Sequence, residues 1–199
     1  YNLCVITRVK NVPHMLTQWL EFHIASGVDH FFLVDDCSSD YNKTSFWVNF
    51  YESTGLVSAY FPLQNCSNHV PNEDELFNFL FHKAKPQCKW IAAFDVDEYL
   101  FPSHEVLDDF IEHEIRLKNS IEFIDFRLLI KNILATASSY SSIRLPWKLM
   151  SSLGYENRPV GLLVDSYPYG KFKDEVLRKT LARSETVISW KDAHKPTYK

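Results

Sequence analysis

The sequence predicts an α/β fold, a single domain with a mostly parallel central sheet flanked by helices. Short apolar, β-branched runs alternate with amphipathic stretches over the first two thirds of the chain. That alternation builds a parallel sheet with crossover helices. At 199 residues the chain has room for one sizeable core and not for two comfortable domains. The single domain 1–199 is taken in two halves, 1–100 and 101–199.

Each element has its own local signal. NLCVIT, 2–7, is a short buried strand. Pro13 opens a helix whose stripe is Leu16, Trp19, Leu20 and Ile24, with His23 on the same face as a core histidine. Gly27 is its C-cap candidate. HFFLVDD, 30–36, is a second strand ending in acid, and Cys37 to Asp40 form a turn. KTSFWVNFYEST suggests a helix and LVSAYF, 56–61, a third strand. Asn72 with Glu75 makes a capping box, and Leu76, Phe79 and Leu80 mark the buried face that follows. WIAAFDV is the fourth strand. Leu107, Phe110, Ile111 and Ile115 mark another helix, and IEFIDFRLLI, 121–130, reads as a strand. Beyond residue 131 periodicity fades into loops around short strands, TVISW among them, and Pro196 is expected to stop regular structure.

Composition narrows the function. A net charge of −4 argues against a nucleic-acid-coating surface. No apolar run approaches the roughly 18 residues of a membrane span. The chain starts at Tyr1 rather than Met, which reads as a trimmed or processed chain. The four cysteines, Cys4, Cys37, Cys66 and Cys88, show no CxxC spacing and read as free, buried thiols. Two sequons, Asn42-Lys43-Thr44 and Asn65-Cys66-Ser67, raise the secretory reading slightly. The compartment stays open: a Golgi or secretory lumen for a cellular eukaryote, host cytoplasm for a virus.

The chemistry concentrates in WIAAFDVDEYLF, 90–101. An apolar strand runs into Asp95, Asp97 and Glu98, and like charges this close repel unless a cation sits among them. In extended backbone, residues i and i+2 point to one side, so Asp95 and Asp97 could face one divalent cation. Carboxylates suit Mn²⁺ or Mg²⁺. Asp35-Asp36 ends another strand, and parallel sheets bind ligands at their carboxyl ends, so both clusters are expected on one rim.

Several segments together resemble the family 92 and related family 2-like GT-A glycosyltransferases. In RVKNVPHMLTQWLEFHIASGVDHFFLVDDCSSD, residues Lys10, Asn11, Trp19, Leu20, His23, Gly27, Val28 and Asp29 match the opening pattern, while Val12 stands where an acid is usual. WIAAFDVDEYLFP resembles the family's DxD segment, SSLGYENRPVGLLVDSY its glycine-containing loop, and KTLARSETVISWKDAHKP its closing basic segment with an isolated histidine. The resemblance implies a GT-A (Rossmann-like) fold and an inverting, metal-dependent transfer of a sugar from a UDP-sugar donor to a hydroxyl acceptor, such as a glycan. It implies a nucleotide-binding half, 1–100, and an acceptor- and metal-closing half, 101–199, with nucleotide contacts from Thr7, Arg8, Asp35, Asp36, Asp95, Lys179 and Arg183, and metal contacts from Asp95, Asp97 and His194. Glu156 and Asp165 are the candidate catalytic bases. Glu98 reads as structural. Two alternatives stay open: a haloacid-dehalogenase-like phosphatase using the same DxD, and a non-catalytic nucleotide-sugar-binding domain.

Overall fold

The computed structural model describes residues 1–61, 72–118, 125–146, 148–150, 161–162, 170–172, 178–192 and 194–199. Its first half alternates as the sequence implies: β1 (Leu3–Val9), α1 (Pro13–Ala25), β2 (His30–Asp35), α2 (Tyr41–Ser53), β3 (Val57–Tyr60), α3 (Glu73–Ala84) and β4 (Trp90–Ala93). Then come α4 (His104–Lys118), α5 (Phe126–Thr136), β5 (Ser142–Pro146), β6 (Lys148–Met150), β7 (Gly170–Phe172), β8 (Arg178–Arg183), β9 (Val187–Lys191) and β10 (Lys195–Tyr198).

The main sheet has the order β3-β2-β1-β4-β8-β5. β1 to β4 run parallel, while β8 is antiparallel to both β4 and β5. Alternate residues of β1 feed two cores, one on each face of the sheet. Leu3, Val5 and Val9 pack with Leu16, Trp19 and Leu20 of α1. Cys4 and Ile6 pack with Leu76, Phe77, Leu80 and Phe81 of α3. Because β1, β2 and β4 are parallel, their carboxyl ends share one rim. β8 runs the other way, so its first residues reach that rim and its last residues lie at the opposite end.

Local signals explain the helix ends. α1 stops where the Gly27 and Val28 amides turn back to the Ile24 and His23 carbonyls, with Gly27 at φ 99. A Cβ there would also lie 3.1 Å from the backbone of Arg127. At α3, Asn72 accepts from the Glu75 amide at 2.8 Å while Glu75 accepts from the Asn72 amide.

Five expectations need correction. Residues 126–136 form α5, not a strand: Asp125 caps the helix through the Arg127 amide, and Ile130 and Leu134 are buried one turn apart. The buried ring positions of α3 are Phe77 and Phe81, whereas Phe79 is exposed. The fourth strand ends at Ala93, and Val96-Asp97 form a turn closed by the Glu98 amide on the Asp95 carbonyl. Asp95 and Asp97 therefore do not share an extended i, i+2 face. Pro196 lies within β10, whose neighbour in its sheet is β9, so the missing N–H costs no ladder bond on the open side. Lastly, the cysteines among the described residues are not free, and Cys66 lies outside those residues. Cys4 and Cys88 are bonded across 84 residues, since the starts of β1 and β4 are neighbours, and Cys37 is disulfide-bonded too.

Candidate active site

Two acidic clusters stand on the rim, as their strand ends require. In the first, Asp36 is almost fully buried and its Oδ2 lies 3.2 Å from Arg8 and 3.6 Å from Lys10. Arg8 also reaches Glu73 at the start of α3, at 3.6 Å. Asp35 is equally buried, and its Oδ1 accepts from the Ser38 amide at 2.7 Å. Asp35 Oδ2 and Asp36 Oδ1 are buried without a hydrogen-bond partner among the described residues. Each is therefore a buried acceptor with no donor among the described residues. Asn11, in the left-handed region at φ 55, links the neighbouring loops: its Oδ1 accepts from the Ser39 amide at 2.7 Å and its amide donates to Ser38 Oγ at 3.0 Å.

The second cluster follows β4. Lys179, buried on β8, donates to Asp95 Oδ2 at 3.2 Å and lies 2.7 Å from Glu98 Oε2. That same Glu98 oxygen accepts from the Asp95 amide at 2.9 Å. Burial pushes the Glu98 carboxyl above its ordinary value, opposed chiefly by the nearby Lys179 charge. So a cation does sit among these carboxylates, and it is a lysine. Asp97 is exposed at the tip of the turn.

The remaining candidates scatter. Thr7 is wholly buried and its hydroxyl donates to the Arg8 carbonyl, so it offers nothing to a ligand at the rim. Arg183 pairs in register with Trp90 at the start of β4 and bonds the Ser138 carbonyl and Glu185. That level lies at the start of β4, the opposite end of the strand from Asp95. A concavity of about 670 Å³ lies at the Arg183 end, lined in part by Lys89, Trp90 and Lys131, and no rim acid lines it. Glu156 and Asp165 lie outside the described residues.

His194 occupies the turn between β9 and β10, with its amide on Asp192 Oδ1 at 2.6 Å. β9 climbs α3 toward the rim: Lys85, past the end of α3, bonds the Val187 carbonyl, and the Trp190 amide bonds Asn78 at 3.2 Å. The turn thus points to the rim end. Among the described residues, however, no three His, Cys, Asp or Glu form a group able to hold a metal, so His194 is not gathered with Asp95 and Asp97.

Two carboxylates still make a workable donor set. Mg²⁺-type ions keep several waters and take one or two protein carboxylates plus substrate phosphates. Asp97 and the Asp95 oxygen not held by Lys179 fit that pattern. The sequence pointed to these acids, but not to Lys179 as their partner. Its separation from Asp95, 84 residues, carries no local signal.

Comparison with known proteins bears on the whole chain. Glycosyltransferase family 92 proteins match it at 32% identity over 109 residues in Arabidopsis thaliana, covering 52% of this chain and 17% of the relative. A Ricinus communis protein of the same family matches at 26% over 125 residues, 58% of this chain and 19% of the relative. The chain therefore spans less than a fifth of the length of these relatives. The TarS 1–349 structure of S. aureus superimposes with a TM-score of 0.53 at 15% identity, covering 94% of this chain and 48% of that one, which shows the shared fold. Among the described residues no helix is long and apolar enough to cross a membrane. The glycosyltransferase family 92 model matches residues 2–191, and the chain belongs to that family.

Proposed function

We propose that this domain transfers a sugar from a UDP-sugar to a hydroxyl acceptor, with inversion and with Mn²⁺ or Mg²⁺ bound. The observation that carries the reading is the placement of two different acidic clusters on one sheet rim. Asp35 and Asp36 present buried acceptor oxygens, which suit the N–H and O–H donors of a nucleoside. Asp95 and Asp97 present oxygens suited to a hard cation, and Lys179 holds the Asp95 carboxylate from below. When bound, the cation supplies charge stabilisation to the departing diphosphate. Arg8 and Lys10, half-exposed beside Asp36, add positive potential for the same diphosphate. The acceptor hydroxyl needs a carboxylate base, for which Glu156 and Asp165 remain the candidates. Thr7 and Arg183 are not carried into this reading, and His194 keeps a place only near the rim. Family membership sets the phosphatase alternative aside.

The test is turnover. The chain is incubated with Mn²⁺, a panel of UDP-sugars and simple hydroxyl acceptors, and products are followed by NMR. UDP release with an inverted anomeric centre is the expected result. UDP binding without any transfer or hydrolysis across the panel would favour the non-catalytic binding domain.

A further inference from the structure

The Asp95–Glu98 turn is gripped from the α1 side by two aromatic residues, Trp19 and His23. The Trp19 indole N–H donates to the Glu98 carbonyl at 2.8 Å. His23, one helical turn later, stacks near both rings that flank the turn in sequence, Phe94 and Tyr99. Its centroid is 5.7 Å from Phe94 and 6.0 Å from Tyr99, with interplanar angles of 28° and 18°. His23 Nδ1 donates to the Trp19 carbonyl at 2.9 Å, so the two side chains form one unit on the helix. Both are fully buried. A purely space-filling aromatic would need neither the directed N–H nor the stacking near both rings that flank a four-residue turn.

We infer that Trp19 and His23 are positioning residues that hold the backbone of residues 95–98 so that Asp95 and Asp97 face the rim together. The inference rests on the proposed function for what the loop binds, but not for the grip itself. Lys179 fixes the Asp95 and Glu98 side chains from β8. Trp19 fixes the Glu98 backbone from α1. Asp97, exposed between these two anchors, has its direction set by them. A strand end followed by a free turn would let this carboxylate sample many orientations, and affinity would fall by the cost of ordering it.

The test uses Trp19→Phe, which keeps ring bulk and removes the N–H, and Tyr99→Leu, which removes one of the two rings stacked near His23. Amide hydrogen exchange on the ligand-free chain reads the grip directly. Residues 95–99 should exchange about tenfold faster in either variant, for the loss of one hydrogen bond or stack, while β1 and β2 stay as protected as in the wild type. UDP affinity in Mn²⁺ should fall by a similar factor, with metal-free UDP affinity unchanged. Unchanged exchange at 95–99, or acceleration spread evenly through the core, overturns the inference, as does a loosened loop with undiminished Mn²⁺-dependent affinity. If Trp19→Phe does not fold, Tyr99→Leu decides alone. A wild-type chain that binds no UDP sinks the proposed function instead, and the exchange data still decide the grip.

Discussion

The two rim clusters look alike in sequence, each a strand running into paired acids, yet the fold treats them differently. At the end of β2, Asp35 and Asp36 are buried, and Arg8 and Lys10 sit against Asp36. What remains there is a pair of buried acceptor oxygens. After β4, Asp95 and Glu98 share one buried lysine, and Asp97 stands exposed beside them. That cluster keeps an excess of negative charge. On the proposed function, the buried pair would read hydrogen-bond donors and the cluster with its exposed acid would hold a cation, and burial and partner count are what set them apart.

The harshest way to break the comparison is to remove the lysine. Lys179→Met leaves Glu98 buried and uncompensated beside Asp95, and breaking a buried pair in this way costs about 3–5 kcal/mol. Urea unfolding should show that loss, and Lys179→Met combined with Glu98→Leu should recover part of it. A single variant as stable as wild type would mean the second cluster does not depend on its lysine.

Acid separates the regions more gently. His23 faces Trp19, Phe22, Phe31, Phe94 and Tyr99, all aromatic, and Phe94 and Tyr99 flank the second cluster. Burial pushes its pKa from 6.5 down to about 4. The unfolded chain therefore binds the extra proton first. Its contribution is complete above about pH 6.5 and is lost as pH falls toward 4, about 3 kcal/mol in all. Thermal melting at pH 7 and pH 4.5 should differ by less in His23→Phe than in wild type. Equal pH dependence would place the acid-sensitive group elsewhere.

The parallel half of the fold was legible because its signals are local. Alternation, the Asn72–Glu75 capping box and the Gly27 terminus each sit within a few residues of sequence. Helix α5 was missed because its apolar run, IDFRLLI, is too dense to show a period, and only the Asp125 cap distinguishes it from a strand. At the site, strand-end position exposed Asp35, Asp36, Asp95 and Asp97. Lys179 was expected at a diphosphate and Arg183 beside it, but β8 is antiparallel and carries its two ends to opposite ends of the sheet. Strand direction is a tertiary choice that the residues of β8 do not announce. The Cys4–Cys88 bond was hidden for the same reason, since it follows from β1 and β4 being neighbours.

The central claim, that the two clusters divide nucleoside from cation, is tested most directly by calorimetric titration of UDP into Asp36→Ala and Asp97→Ala, each with and without Mn²⁺. The account predicts that Asp97→Ala binds UDP equally in both conditions, at the wild type's metal-free affinity. Asp36→Ala should lose about 1.5–3 kcal/mol, more than tenfold, in both conditions while keeping the Mn²⁺ enhancement. A Mn²⁺ enhancement that survives in Asp97→Ala, or UDP affinity undiminished in Asp36→Ala, would contradict it.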